Sequence, residues 1–161
     1  MALNPDLETI AGYRPMTLDD VPGIMNVELQ CYPHPWTEGI FRDCIRVGYT
    51  GYVYVEDDTI LAYGLISIAA NEAHVLNVCV VPHKQGQGLG RGMLRKLIES
   101  AGEKGADTVF LEVRKSNHTA VKLYESERFK RIGVRKNYYP DEEGREDALV
   151  FTRAVKIDNE P

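Results

Sequence analysis

A glycine-rich segment in the middle of the chain has the composition of an anion-binding loop. From Val81 to Leu94 the sequence reads VPHKQGQGLGRGML, with four glycines in seven positions between an apolar run and an apolar helical pattern. Glycine lets a ligand approach the backbone closely, and the first N–H groups of a helix have no partner within the helix. The segment therefore predicts a strand-to-helix turn that binds an anion, although such a helix start also occurs as turn chemistry alone.

The spacing of the glycines decides between the known phosphate-binding motifs. A Walker loop fails, because the fifth residue after Gly86 is Arg91 and Gly-Lys-Ser/Thr does not occur in the chain. The dinucleotide motif G-x-G-x-x-G fails too, because its last position falls on Arg91 or Met93. What remains is QGQGLG, Gln85 to Gly90, of the form Q/R-x-x-G-x-G/A.

Two residues further along have the chemistry of a base and an acid. Glu112 lies in DTVFLEV, an apolar strand pattern, and a carboxylate on a strand covered on both faces is costly unless it faces a cleft or a partner. It could deprotonate an amine through one water, or it could be a strand-end residue that reaches solvent or pairs with Arg114. Tyr124 follows in a helical pattern. Its phenol, with an ordinary pKa near 10, could donate a proton at neutral pH, or the residue could be an ordinary core tyrosine.

Periodicity predicts the helices that frame these residues. A capping-box pattern at Thr17–Asp20 precedes a first helix that ends near Cys31, and Thr37 begins a second one after the loop YPHPW. A third helix follows the glycines and ends at Gly102 or Gly105, and a fourth covers Asn117–Glu127. The inward positions of the first two helices are Val21, Ile24, Met25 and Leu29, then Ile40, Phe41, Cys44 and Ile45.

Strand patterns complete the predicted fold. A short extended piece covers Tyr13–Met16, and strands are predicted at Tyr49–Glu56, Thr59–Ala69, Ala73–Val81, Asp107–Val113, Phe129–Asn137 and Asp147–Arg153. The last two are joined by the loop YYPDEEG. A crossover helix joins the strand ending at Val81 to the one ending at Val113, so these two run parallel. The sequence predicts an α/β fold with a mixed, mostly antiparallel sheet and about four helices.

Composition limits the classes of function. The chain has 161 residues, which fits one domain. Its formal charge of -5 has the wrong sign for a protein that binds mainly to the phosphate backbone of a nucleic acid. We expect a single domain over 11–155, flexible tails at 1–10 and 156–161, and a monomer. The first residues lack a signal-peptide pattern and no apolar run is long enough for a membrane helix, so we expect a cytoplasmic protein without membrane contact. Neither the cysteines, Cys31, Cys44 and Cys79, nor the four histidines have metal-ligand spacing, so no metal is expected.

The glycine loop and three further segments resemble one enzyme family. QGQGLG resembles the acyl-CoA pyrophosphate loop of the GNAT superfamily of N-acetyltransferases. The segment from Leu111 to Phe129, with LEV followed by N-x-x-A-x-x-x-Y, is similar to the second half of that family's acetyl-CoA site. HPW at His34–Trp36, and NYYP followed by EDA from Asn137 to Ala148, resemble the RimI type, bacterial enzymes that acetylate the N-terminal alanine of a small-subunit ribosomal protein. The resemblance covers roughly Tyr13 to Arg153.

The resemblance implies a fold and roles for particular residues. It implies a GNAT fold with a splayed central pair of parallel strands, acetyl-CoA as co-substrate, Glu112 as base and Tyr124 as acid for the coenzyme A thiolate. The implied cofactor contacts are Val78, Cys79 and Val80 beside the thioester, Gln85, Gly86, Gln87, Gly88, Leu89, Gly90 and Arg91 at the pyrophosphate, and Asn117 and Tyr124. Asn117 could equally cap its helix, and Arg91 and Lys84 could be solvated surface residues. The implied acceptor contacts are Pro35, Trp36, Tyr138 and Tyr139, and for one of these tyrosines a packed hairpin cap is an alternative.

The sequence departs from the family at one position and leaves two other functions open. Where the family has Y-E-x-x-G-F, this chain has Arg128 in place of the glycine, which predicts a strained left-handed arginine. A small-amine acetyltransferase would share the cofactor half of the site without the aromatic acceptor loops. A non-catalytic acetyl-CoA-binding module would not need both Glu112 and Tyr124.

Overall fold

Seven strands and four α-helices lie within residues 11–141 and 144–157, which are the residues that the computed structural model describes. The helices are α1 Val21–Cys31, α2 Glu38–Arg46, α3 Leu89–Glu103 and α4 His118–Ser126. The strands are β1 Ala11–Pro15, β2 Thr50–Glu56, β3 Thr59–Ala69, β4 Glu72–Val80, β5 Thr108–Arg114, β6 Lys130–Asp141 and β7 Gly144–Ala154. Apart from Lys156 and Ile157, the predicted tails lie outside the described residues, as do Glu142 and Glu143.

The strands form one sheet in the order β1-β2-β3-β4-β5-β7-β6. Strands β4 and β5 run parallel, with Glu72–Val75 paired to Thr108–Leu111. The pairs β1–β2, β2–β3, β5–β7 and β6–β7 are antiparallel. The predicted mixed sheet with an internal parallel pair is therefore confirmed. Across the described ranges, no helix combines the length and the apolar character that crossing a membrane requires.

The chain divides into two compact units, of which the first comprises residues 11–67 and 76–100. Its main core lies where α1 and α2 pack on β2, β3 and the end of β4. The largest side chains there that lose all contact with solvent are Ile24, Phe41, Tyr63 and Leu65. A second cluster joins Met93 of α3 to Ala62 of β3. A Cβ on Gly64 would lie 2.7 Å from the Met93 side chain, so this glycine lets β3 and α3 approach closely.

Two residues predicted to face inward on α1 and α2 lie at the surface. Leu29 is 62% exposed and Ile40 is 42% exposed. On α1 the buried arc runs through Val27 and Glu28 instead, so Leu29 lies beyond its edge. Ile40 lies at the edge of the arc that contains Phe41 and Cys44. Both positions fit an amphipathic stripe in sequence, and only the neighbouring elements determine how wide the covered stripe is.

The second unit comprises the described residues of 68–75 and 101–157. Strand β5 alternates as predicted, with Val109, Leu111 and Val113 buried. On α4, Tyr124 packs its ring against Phe129 and Phe151, at centroid distances of 5.8 and 6.4 Å.

Strands β6 and β7 extend further than the sequence predicted. Tyr138 and Tyr139, assigned to a loop, lie on β6, and Gly144 already begins β7. The pairing shifts between Arg135 and Tyr139, so β6 contains a bulge there. The polar composition of YYPDEEG predicted a long loop, but the bulge lets a polar segment stay within an edge strand.

Candidate active site

In the first unit, the glycine loop has the backbone geometry of a strand-to-helix turn. Gly86 and Gly88 have φ angles of 79° and 86°, which residues other than glycine rarely adopt. The Gln85 side chain donates to the carbonyl of Val80 at 3.0 Å, which ties the loop to the end of β4. Helix α3 begins at Leu89, so the loop leads directly to helix N–H groups that have no partner within the helix.

The last glycine of the segment has a packing role that the sequence did not reveal. A Cβ on Gly92 would lie 2.2 Å from the Tyr13 hydroxyl, and that hydroxyl donates to the carbonyl of Leu89 at 3.1 Å. Gly92 therefore leaves room for the Tyr13 ring of β1 to reach α3.

Two cations near the glycine loop could add charge to an anion site. Lys84 lies 3.9 Å from the carboxylate of Glu56, and Arg91 lies half-buried in the first turn of α3.

A buried carboxylate in the first unit holds the loop that carries Pro35 and Trp36. Glu28, 1% exposed, accepts hydrogen bonds from the Tyr63 hydroxyl and, at 2.9 Å, from the backbone N–H of Trp36. The Asn77 amide donates to the Tyr63 hydroxyl at 2.7 Å. Trp36 also packs on Phe41, at 5.3 Å between ring centroids. Glu28 was not predicted from the sequence, although a glutamate four residues after Ile24 on an apolar helix face was a visible signal.

In the second unit, Glu112 is a buried carboxylate with two charged or polar partners. Its side chain is 7% exposed. The His74 ring contacts Oε2 through Nε2, and Arg135 places Nε 3.4 Å from Oε1. Arg114, the partner considered from sequence, donates instead to Glu146 at 3.2 Å and to the carbonyl of Pro140 at 2.9 Å. Neither His74 nor Arg135 was predicted, since both reach Glu112 from other strands.

Tyr124 is buried on α4 in the same unit. Burial raises the pKa of Tyr124 to about 12, because the ionised phenolate would be poorly solvated. The hydroxyl therefore keeps its proton throughout the neutral range and can act only as a donor of that proton. Tyr124 lies seven residues after Asn117, on the helix that the sequence predicted. Asn117 caps α4, accepting from the backbone N–H of Ala120 at 3.1 Å.

The two adjacent tyrosines of β6 are positioned by the bulge. Arg145 donates to the carbonyls of Asn137 and Tyr138 at 2.7 and 2.9 Å, which satisfies groups that the irregular ladder leaves out. Tyr138 is 42% exposed, and its ring lies edge-on to Tyr139 at 4.9 Å.

Tyr139 shares its surroundings with the candidate base and acid. The guanidinium of Arg114 lies 4.6 Å from its ring centroid. Burial and the nearby Glu112, Tyr138 and Tyr124 raise the pKa of Tyr139, against a lowering by Arg114. The second unit thus brings together a carboxylate, a neutral buried phenol and an aromatic pair, the groups that could take a proton from an amine and give one to a leaving thiolate.

The other residues predicted to contact the cofactor lie on β4 and in the glycine loop, and their roles stay predictions. Val78, Cys79 and Val80 lie on β4, where Cys79 and Val80 are buried, and Gln87 lies in the exposed part of the glycine loop. Cys44 is also buried, and the half-buried Cys31 thiol donates to the carbonyl of Val80 at 3.2 Å. Within the described residues, no three His, Cys, Asp or Glu side chains form a group that could hold a metal ion.

Comparison with known protein families agrees with the described fold. The model of the acetyltransferase (GNAT) family matches residues 21–128. The chain belongs to this family.

The relatives are similar along most of their length. The chain is 34% identical over 138 residues to the [ribosomal protein bS18]-alanine N-acetyltransferase of Escherichia coli strain K12, covering 86% of this chain and 93% of that protein. The enzyme of the same name from Haemophilus ducreyi is 36% identical over 133 residues, covering 82% and 92%. The crystal structure of the ribosomal-protein-S18-alanine N-acetyltransferase from Escherichia coli superimposes with a TM-score of 0.85 at 31% identity, covering 94% of this chain and 99% of that one.

Proposed function

We propose that this protein transfers the acetyl group of acetyl-CoA to the N-terminal α-amine of a protein, and that its acceptor is the N-terminal alanine of a small-subunit ribosomal protein. The observation that carries the choice of acceptor is the similarity, along more than four fifths of both chains, to enzymes named for that reaction. Because ribosomal proteins act in the cytoplasm, we place the reaction there.

The residues of the glycine loop fit an acyl-CoA co-substrate. Two glycines with positive φ angles, Gly86 and Gly88, are exposed directly before α3, so nothing on their Cα atoms hinders an approaching pyrophosphate. The N–H groups of Leu89, Gly90 and Arg91 come first in the helix, where the helix dipole favours an anion. When bound, acetyl-CoA supplies an activated thioester. Backbone N–H groups of Val78–Val80 would polarise its carbonyl.

Glu112 and Tyr124 divide the proton transfers between them. Glu112 takes a proton from the α-ammonium group, directly or through one water, so that the amine can attack. An α-amine has an ordinary pKa near 8, so a carboxylate is an adequate base at neutral pH. As the nitrogen–carbon bond forms and the carbon–sulfur bond breaks, Tyr124 donates its proton to the departing thiolate, and the second proton that the nitrogen loses restores the phenol. In the second unit, Tyr138 and Tyr139 offer apolar surface to the extended N-terminus of the acceptor. In the first unit, Pro35 and Trp36 are the residues proposed to contact the acceptor.

Mass spectrometry tests the acceptor directly. A peptide with the alanine-first N-terminus of ribosomal protein bS18 is incubated with acetyl-CoA and the protein, beside the same peptide with a blocked α-amine and beside spermidine. We expect a gain of one acetyl group on the free α-amine only. Transfer to spermidine with none to the peptide would replace the proposal by a small-amine acetyltransferase, and acetyl-CoA binding without transfer to any amine would indicate a binding module.

Replacing the base tests the mechanism. Glu112→Gln keeps the size of the side chain and removes its basicity, so we expect turnover to fall by about 100-fold or more, the usual contribution of a general base. The dissociation constant of acetyl-CoA, measured by calorimetry, should change little. Turnover close to that of the wild type would remove Glu112 from the role of base.

A further inference from the structure

The carboxylate of Glu112 has a partner that the proposed mechanism does not use. His74 lies on β4 and is paired with Phe110 in the parallel ladder. Side chains two residues apart on a strand point to the same face, so His74 and Glu112 share one face of the sheet. The contact between Nε2 of His74 and Oε2 of Glu112 follows from this register.

The two members of this pair differ in their access to solvent. The His74 side chain is 39% exposed, whereas that of Glu112 is 7% exposed. A buried carboxylate that is to act as a base needs a fixed orientation, because a small displacement of a catalytic group lowers the rate steeply. A donor held on a neighbouring strand supplies that orientation more rigidly than a long side chain from the surface can.

The other partner of Glu112, Arg135, is a long side chain that reaches it from the surface. Arg135 lies on β6 with its side chain 57% exposed, and its Nε lies 3.4 Å from Oε1. A long, exposed guanidinium at this distance makes a weak contact that an incoming ammonium group can replace. The two oxygens are therefore unequal, because Oε2 is held by a half-buried ring and Oε1 is contacted only by the end of a long, exposed side chain among its described partners.

We propose that His74 is a positioning residue for the acetyl transfer, in which its Nε2–H donates to Oε2 of Glu112 and leaves Oε1 as the oxygen that takes the proton from the amine. This inference rests on the proposed function of Glu112 as base. His74 itself touches neither co-substrate nor acceptor in this scheme. The imidazole does not transfer a proton, so an amide that donates from the same place can replace it.

Two substitutions of His74 separate the loss of its hydrogen-bond donor from the loss of its ring. Glutamine carries an N–H donor at about the position of the imidazole Nε2, whereas alanine carries none. We expect His74→Ala to lower kcat about tenfold through lost orientation and His74→Gln to retain most of it. The KM for acetyl-CoA should stay near wild type in both, and kcat is measured well below the melting temperature of His74→Ala, in which a buried carboxylate loses a donor. The exposed His118 at the start of α4 provides the matched control, since His118→Ala removes an imidazole that lies on neither β4 nor β5.

A double-mutant cycle shows whether His74 acts through Glu112. If it does, adding His74→Ala to Glu112→Gln lowers kcat no further, because the carboxylate that His74 orients is already gone. Independent, multiplied losses would overturn the proposal, as would equal losses in His74→Ala and His74→Gln or a loss that appears only as lowered thermal stability.

The outcome for His74 can be separated from the outcome for the proposed function. If the bS18 peptide is not acetylated but another amine is, the proposed acceptor fails and the same set of variants is compared on that amine. If no amine is acetylated, proton NMR decides. The Nε2 proton of His74 should then be shifted downfield in the wild type and lose that shift in Glu112→Gln, and an unchanged resonance would overturn the proposal.

Discussion

Tyr124 shows how burial changes the proton affinity of a single residue. A phenol with its pKa raised to about 12 cannot serve as a base at neutral pH, and it keeps the proton that the proposed role as acid requires. The ring packs on Phe129 and Phe151, which are buried core residues. The burial that is typical of a core tyrosine therefore also keeps its hydroxyl protonated.

Removing only the hydroxyl of Tyr124 tests its role as acid. Tyr124→Phe keeps the ring packing, so we expect the melting temperature to change little while kcat falls by about 100-fold, the low end for general acid catalysis. The low end is expected because a thiol has an ordinary pKa near 8.5, so its thiolate leaves readily even without a proton. Steady-state kinetics at pH 7 checks this, and unchanged turnover would leave Tyr124 a purely structural residue.

At the scale of elements, two local departures from regular structure shape the second unit. The bulge in β6 re-aims Tyr138 and Tyr139, and the end of α4 turns through a left-handed arginine. Arg128 has a φ angle of 68°, as its place in the sequence predicted. The Phe129 N–H bonds to the carbonyl of Tyr124 at 3.0 Å, which is the hydrogen bond of a Schellman motif. The motif forms with arginine where glycine would fit without strain.

Relieving this strain should stabilise the protein. Replacing Arg128 by glycine removes a conformational cost of about 1 kcal/mol, partly offset by the greater entropy of glycine in the unfolded chain. A net gain of roughly 0.5 kcal/mol corresponds to a melting temperature higher by about 1–2 °C for a chain of this size. Differential scanning calorimetry measures the change.

The matched control for this prediction is Arg128→Ala. Alanine deletes the exposed arginine side chain but keeps the Cβ that causes the strain, so it should give no comparable gain. If Arg128→Gly melts at or below the wild-type temperature, or if alanine stabilises equally, strain at this position does not limit stability.

At the scale of the whole molecule, the excess of acidic side chains makes stability depend on which carboxylates are paired. The formal charge is -5 at pH 7. Asp20 is 7% exposed and accepts from both terminal nitrogens of Arg14, at 2.9 and 2.8 Å, and from the Thr17 N–H at 2.8 Å. Burial raises the pKa of Asp20, but the hydrogen bonds from Arg14 and Thr17 and the charge of Arg14 outweigh burial and lower it overall.

The sign of this shift predicts how an Asp20 variant responds to pH. Because the folded pKa lies below the unfolded value near 3.9, the ionised group stabilises the fold above about pH 4, and this contribution is lost as the pH falls through the folded pKa. Asp20→Asn should therefore lower the free energy of unfolding at pH 7 by about 1–2 kcal/mol, the scale of hydrogen bonds to a charged group. Urea unfolding between pH 7 and pH 3.5 should show the difference from wild type shrinking.

The neighbouring Asp19 supplies the control, because its side chain is exposed. Asp19→Asn should change the free energy of unfolding by less than about 0.5 kcal/mol at either pH, as surface substitutions do. A difference between Asp20→Asn and wild type that is the same at pH 7 and pH 3.5 would contradict a lowered pKa of Asp20.

The sequence by itself determined the order and type of the elements, the glycine loop, the left-handed Arg128 and the alternation that buries β5 around Glu112. These follow from periodicity and turn chemistry, which act over a few neighbouring residues. The partners of the functional groups did not follow. His74 and Arg135 reach Glu112, and Glu28 reaches Tyr63, from positions distant in the chain. Only the pairing register of strands and the width of buried helix faces decide such contacts, because both depend on which segments meet when the chain folds.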